Sequence, residues 1–175
     1  MLIYLSQHQR NKAELAGENL EKHFRETGRD KIRIDNRKPR FEQSILAEMA
    51  IAHLLGVPYS PPQGVVPDEG FDLIYNDFKI EVKSTEYPRG FLIMTNPFTA
   101  DFATMVHVEM GKPYVKFVGW ITREDFKKRK RPFTKGTTVN PSVPAIALSH
   151  PRKFKAELDS QKINVQQTFE RLAHA

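Results

Sequence analysis

The chain contains no cysteine and a single tryptophan. Without cysteine there are no disulfides, no thiolate zinc site and no cysteine nucleophile, and the chain suits a reducing compartment. No apolar run approaches the length needed to cross a bilayer. The apolar start, Met1 to Leu5, is too short for a signal peptide and polar residues follow it at once. These absences lead us to expect a cytosolic protein with no membrane partner. If the chain is phage-encoded rather than bacterial, that means the host cytoplasm.

What is present is an ordinary globular balance. Of the 175 residues 39% are hydrophobic and 27% charged, enough for one domain with a sizeable core. The net charge is +6 and the pI about 9.5. That excess favours a polyanionic partner, with nucleic acid the default and an anionic membrane surface second.

Apolar spacing predicts a helix over about residues 7–26 through Ala13, Leu15, Ala16, Leu20 and Phe24, with Gly28 as its terminator. A basic segment, residues 29–40, follows and contains a short strand candidate at Ile32–Ile34. It reads either as a solvated connector or as an arm along a phosphate backbone. A second helix is predicted over residues 40–55, stopped by Gly56 and Pro58. It is apolar nearly all round, so it should be buried. Glu48 interrupts that apolar surface. A buried carboxylate must be paired or hold a metal, or else reach the surface.

The most informative stretch is residues 72–83. Asn76-Asp77 suits a two-residue turn with positive φ. That register sets Tyr75 opposite Phe78, Ile74 opposite Lys79, Leu73 opposite Ile80 and Asp72 opposite Glu81. Lys83 then shares the face of Glu81. Two carboxylates facing each other repel, so a divalent cation between them is the expected compensation. The competing reading is a solvated face with a Glu81–Lys83 salt bridge.

Further along, Phe91–Met94 reads as a strand and residues 95–101 as irregular. A second hairpin is expected from Thr104 to Ile121 about a Gly111-Lys112 turn. It should place Val106, Val108, Val115 and Phe117 on a core face, and His107, Glu109, Tyr114 and Lys116 on a polar one. Thr122 should cap a short helix through Phe126, with Asp125 three residues on. Lys127, Lys128, Arg129, Lys130 and Arg131 form the densest basic run, a solvated patch or a phosphate contact. Residues 132–144 read as loop. Residues 151–175 carry weak helical spacing through Phe154, Leu158, Phe169 and Leu172. Trp120 is assigned to the core, and Ser84, Thr85 and Glu86 to surface or phosphate contacts.

Asp72, eight residues, then Glu81-Val82-Lys83, preceded by a helix carrying Glu48, resembles the PD-(D/E)xK nuclease superfamily. Phe71 stands where the family name has proline, and there is no glutamine-tyrosine helix motif of the RecB-like branch. The resemblance covers roughly residues 42–121. It implies an α/β, restriction-endonuclease-like fold, a mixed sheet of four or five strands flanked by helices. It also implies Mg²⁺ or Mn²⁺ held by Asp72 and Glu81, with Glu48 added from the preceding helix; the Val82 carbonyl, on the same strand as Glu81, offers a further oxygen ligand. Such hard cations prefer oxygen ligands. Lys83 would act on the attacking water. The expected organisation is an N-terminal helix and basic arm (1–40), a nuclease core (41–131), and a C-terminal loop and helical extension of the same domain (132–175). The expected function is a metal-dependent DNA nuclease, structure-directed or processing rather than sequence-specific. Homodimerisation through the N-terminal helix and arm is expected by analogy. The alternatives are a non-catalytic nucleic-acid-binding module and a basic assembly protein.

Overall fold

A computed structural model describes residues 1–26, 40–61, 70–94, 97–135 and 137–162. The architecture is mixed α/β. Among the described residues, a five-stranded mixed sheet and a three-stranded antiparallel sheet are accompanied by four α-helices.

The main sheet has the order β1-β6-β5-β3-β2, where β1 is Leu2–Tyr4, β2 Leu73–Tyr75, β3 Phe78–Thr85, β5 Phe102–His107 and β6 Tyr114–Thr122. Only β3 and β5 run parallel; the other neighbours are antiparallel. The β2–β3 hairpin has the expected register, Tyr75 with Phe78, Ile74 with Lys79 and Leu73 with Ile80. Asn76 and Asp77 hold φ of 52° and 70° in the turn, the left-handed region that short Asx side chains tolerate. The β5–β6 hairpin also forms, and Val106, Val108, Val115 and Phe117 all enter one core as expected. A bulge between Met105 and Val106 shifts its register.

Helices α1 (Gln7–Glu26) and α2 (Arg40–Leu55) have the predicted bounds. Gly56, φ 75°, ends α2. They pack closely: a Cβ on Gly17 would stand 2.9 Å from the Glu42 backbone nitrogen. Ile45, Ala47, Ala50, Ile51 and Leu55 of α2 bury against Ile80, Val82, Val106 and Phe117 of the main sheet. Thr122 accepts the Asp125 N–H at 3.1 Å and caps α3 (Arg123–Arg129), which runs three residues beyond the expected Phe126.

One expectation is corrected, one edge strand was not foreseen, and the C-terminal helical spacing is borne out as far as residue 162. Residues 132–144 are not loop: β7 (Arg131–Lys135) and β8 (Thr138–Pro144) form a hairpin, and β4 (Phe91–Ile93) joins it in the order β4-β8-β7. The prolines that suggested loop are accommodated because Pro132 pairs with Pro141, so neither is asked for a ladder N–H that its partner needs. Pro144 ends β8. The short Leu2–Tyr4 segment was not expected as structure, yet it is an edge strand on β6. The C-terminal segment is also integral: after a 3₁₀ turn at Pro151–Lys153, residues 154–162 form α4, and Phe154 and Leu158 are fully buried. Phe154 meets Phe102, Phe117 and Trp120. Trp120 is buried, as expected, and donates its indole N–H to the His150 carbonyl. The Ile32–Ile34 strand, Gly28, and the helical positions Phe169 and Leu172 lie outside the described residues.

A second core, built from Leu92, Met94, Ala103, Met105, Ile121, Phe126 and Val143, joins the small sheet to the main sheet. Main-sheet side chains alternate between faces. Ile80 and Val82 therefore face α2, while Glu81 and Lys83 lie on the face of their β5 partners Ala103 and Met105, the face that the small sheet packs on.

Candidate active site

The site gathers at the edge of β3 where β2 stops. The last hairpin pair is Leu73 with Ile80, so Asp72 does not enter the ladder opposite Glu81 as expected. Its N–H donates to the Ile80 carbonyl at 2.9 Å instead. Its carboxylate turns back and accepts the Val82 N–H at 2.6 Å. In a strand the N–H and C=O of one residue point to the same side. The Val82 carbonyl thus points to the same edge as the Asp72 carboxylate.

Glu48 arrives from α2. One turn earlier, Ser44 lies 3.4 Å from Ser84 (hydroxyl to hydroxyl), and Gln43 donates to Glu86 at 3.1 Å. A turn of helix advances about 5.4 Å. Pinning Ser44 to the end of β3 thus carries Glu48 back along the strand toward Glu81. Ser84 and Glu86, read from sequence as surface or phosphate contacts, serve here as the braces for α2. Thr85 bonds locally, accepting the Tyr87 N–H at 3.0 Å.

The Glu48 carboxyl accepts a hydrogen bond from the Tyr59 hydroxyl at 2.5 Å. Its pKa is pushed up to about 8, first by burial and then by the charge of Asp72, with Glu81 adding to the rise. The Tyr59 hydrogen bond and the Lys83 ammonium act the other way. The phenol of Tyr59 is itself pushed above its usual range, by burial and then by Glu48 and Asp72. Glu48, Asp72, Glu81 and Lys83 therefore occupy one electrostatic neighbourhood, although they come from a helix, strand β3 and the residue just before β2. Glu81, only 9% exposed, pairs with the Lys83 ammonium.

Tyr59 was not anticipated. The only signal was a tyrosine in the proline-flanked segment just after the Glu48 helix, and nothing local connects it to a residue eleven positions earlier.

Every side-chain donor for a cation here is a carboxylate oxygen, which fits a hard divalent ion such as Mg²⁺ or Mn²⁺. Mg²⁺ is commonly held by one or two carboxylates with water completing the shell. The candidates for such ligands are Asp72, Glu81 and the Val82 carbonyl, with Glu48 in the same electrostatic neighbourhood. Among the described residues, no group of three or more His, Cys, Asp and Glu side chains forms a ready metal cage. Each carboxylate is bonded within the protein: Asp72 to Val82, Glu81 to Lys83 and Glu48 to Tyr59.

The basic run divides between two elements. Lys127, Lys128 and Arg129 end α3, where cations favour the helix dipole; Lys130 caps it, and Arg131 begins β7. Lys127 pairs with Glu124 at 3.5 Å and Arg129 with Asp125 at 3.2 Å, while Arg129 also donates to the Ala147 carbonyl. Lys128, Lys130 and Arg131 are exposed and make no ion pair among the described residues. His107 stands opposite Lys116 on the β5–β6 hairpin, on the expected polar face. No described helix is long and apolar enough to cross a membrane. Comparison with known proteins found no matching family model, no matching curated protein and no matching solved structure.

Proposed function

We propose that the chain is a divalent-metal-dependent nuclease that hydrolyses phosphodiester bonds in DNA. We assign it the restriction-endonuclease-like form of the α/β architecture, with a structure-directed or processing role rather than sequence-specific cutting. One observation carries this reading. Helix α2, strand β3 and the residue just before β2 bring Glu48, Glu81, Lys83 and Asp72 near enough for Asp72 and Glu81 to raise the Glu48 pKa and for Lys83 to oppose them. A protein that only bound nucleic acid would have no use for three carboxylates facing a polyanion.

Asp72, Glu81 and the Val82 carbonyl would hold the ion, and Glu48 would support them. When bound, such an ion supplies Lewis acidity at the phosphate and makes water a better nucleophile near neutral pH. Lys83 brings a positive charge beside Glu81, where it can orient water and offset charge developing on a phosphate oxygen. Glu48 keeps a proton to about pH 8, so its carboxyl can exchange protons in the physiological range. The net charge of +6 favours association with a phosphate backbone.

A second reading is a non-catalytic nucleic-acid-binding module. It is favoured by the internal bonding of all three carboxylates and the lack of a ready cage among the described residues. Circular, linear, single-stranded and branched DNA, each incubated with Mg²⁺, Mn²⁺ or EDTA, separates the two. The nuclease cleaves at least one substrate with metal and none in EDTA, and Glu81→Ala and Lys83→Ala abolish cleavage. Binding without cleavage under every condition assigns the module instead. Cleavage that persists in Glu81→Ala removes the site assignment.

A further inference from the structure

The small sheet has an outward face that the active-site cluster does not use. Leu92 and Val143 turn inward to the second core, so alternation turns Phe91 of β4, Arg131 and Phe133 of β7, and Asn140 and Ser142 of β8 outward. The Phe91 and Phe133 rings meet across the intervening strand β8, with centroids 5.0 Å apart and planes tilted by 39°. Between those strands Ser142, in register with both Ile93 and Arg131, is 2% exposed and donates its hydroxyl to the Arg131 carbonyl. A small residue at the centre lets the two rings close over the sheet. Phe91 nevertheless stays 43% exposed, a large apolar surface to leave in water on a short strand.

Charge distinguishes this face from an ordinary apolar patch. None of β4, β7 and β8 contains an aspartate or glutamate. Arg131 shares the face with Phe133, and Lys130 and Lys128 precede it in the chain at the end of α3. These are the members of the basic run that make no ion pair with a carboxylate among the described residues. An exposed Phe91 ring against a half-buried Phe133 ring, beside unneutralised cations, matches a ligand with flat apolar faces strung on a polyanion. Aromatic rings that stack bases, flanked by cations that track the backbone, are how proteins hold unpaired strands. Paired bases are already stacked on each other and do not offer their faces.

We propose that the outward face of the β4-β8-β7 sheet is a binding platform for single-stranded nucleic acid, with Phe91 and Phe133 stacking bases and Lys128, Lys130 and Arg131 contacting phosphates. The small sheet packs on the same face of the main sheet that carries Glu81 and Lys83. A strand held on it is thus on the site's side of the molecule. The platform extends the nuclease reading but binds without metal, so it is tested apart from cleavage.

The test is binding of labelled oligothymidylate, oligouridylate and a duplex of equal length to the full chain in EDTA, read by fluorescence anisotropy. Both single strands should bind more tightly than the duplex, and their ratio identifies DNA or RNA as the preferred source. Phe91→Leu and Phe133→Leu keep apolar bulk but remove the ring, and each should weaken single-strand binding about tenfold or more. Phe133→Tyr should retain it. Lys130→Gln and Arg131→Gln should each lower the slope of log affinity against log salt by roughly 0.7. Phe91→Trp provides a readout that does not depend on loss of function: its fluorescence should be quenched on adding oligothymidylate, against a buried Trp120 background. Unchanged affinity in both leucine variants, or no quenching in Phe91→Trp, overturns the platform. So does equal binding of duplex and single strand. Self-association that disappears in Phe91→Leu assigns the face to a second copy of the chain instead. If cleavage fails while the leucine variants lose single-strand binding, the platform stands and the nuclease reading falls.

Discussion

The Asp72 carboxylate accepts the Val82 N–H at 2.6 Å, one residue beyond the point where the β2–β3 ladder ends. This bond caps a strand-edge donor, and in the proposed nuclease it would also fix a carboxylate where the Val82 carbonyl points. The two tasks are separable by substitution. Asp72→Asn retains a side-chain oxygen for the Val82 N–H and loses the charge. It should fold with nearly wild-type stability and lose metal-dependent cleavage. Asp72→Ala should lose cleavage and also about 1 kcal/mol, the usual worth of one such bond. Thermal denaturation in EDTA beside a cleavage assay distinguishes the two variants.

Glu48 makes the stability of the metal-free protein depend on pH. Unfolded, its carboxyl ionises near 4.5; folded, it keeps its proton to about 8, with burial and then Asp72 as the causes. Between those values the folded chain binds the additional proton, so stability falls as pH rises and levels off above about 8. Glu48→Gln cannot ionise but can still accept the Tyr59 hydrogen bond. It should flatten the decline and be the more stable protein at pH 8. Midpoints of thermal unfolding in EDTA from pH 5 to 9 measure both curves.

Much of this arrangement was legible before the structure because it is local. The turn at Asn76-Asp77 sets the hairpin register through chain chemistry alone, and the apolar run around Glu48 announces a buried helix. Thr122 and Asp125 mark the start of α3 for the same reason. What sequence hid depends on partners distant in the chain. Leu2–Tyr4 is a strand only because β6 offers an edge. The β7–β8 hairpin has prolines where a ladder is expected, and only the mutual pairing of Pro132 and Pro141 makes them harmless. Asp72 leaves the ladder because its N–H finds the Ile80 carbonyl, a choice of one hydrogen bond that periodicity does not encode. The bond from Tyr59 to Glu48 crosses from a loop to a helix and has no sequence signature.

Phe154 tests whether the C-terminal helix belongs to the core. It is fully buried against Phe102, Phe117 and Trp120, on a helix that also buries Leu158. Phe154→Ala should cost about 3–5 kcal/mol, the range for emptying an aromatic site in a core. Chemical denaturation should show that loss as a lower midpoint with one transition. A change of less than about 1 kcal/mol would mean that α4 is an appendage.

Under the proposed metal-dependent function, Lys83 couples the stability of the cluster to metal. Its ammonium pairs with Glu81, and Glu81 is 9% exposed in the neighbourhood of Asp72 and Glu48. Lys83→Ala leaves that carboxylate buried near the Asp72 charge with its cation gone, so the variant should unfold at a lower temperature than the wild type in EDTA. A cation held by Asp72 and Glu81 offsets the same repulsion. Mg²⁺ should therefore raise the unfolding midpoint of Lys83→Ala by more than that of the wild type, while cleavage stays absent. Glu81→Gln removes the charge itself, and its midpoint should respond to Mg²⁺ least of the three. Differential scanning fluorimetry across a Mg²⁺ titration ranks them. Equal Mg²⁺ responses in all three proteins would mean that the ion does not bind at Glu81, and the role given to Lys83 would fall with it.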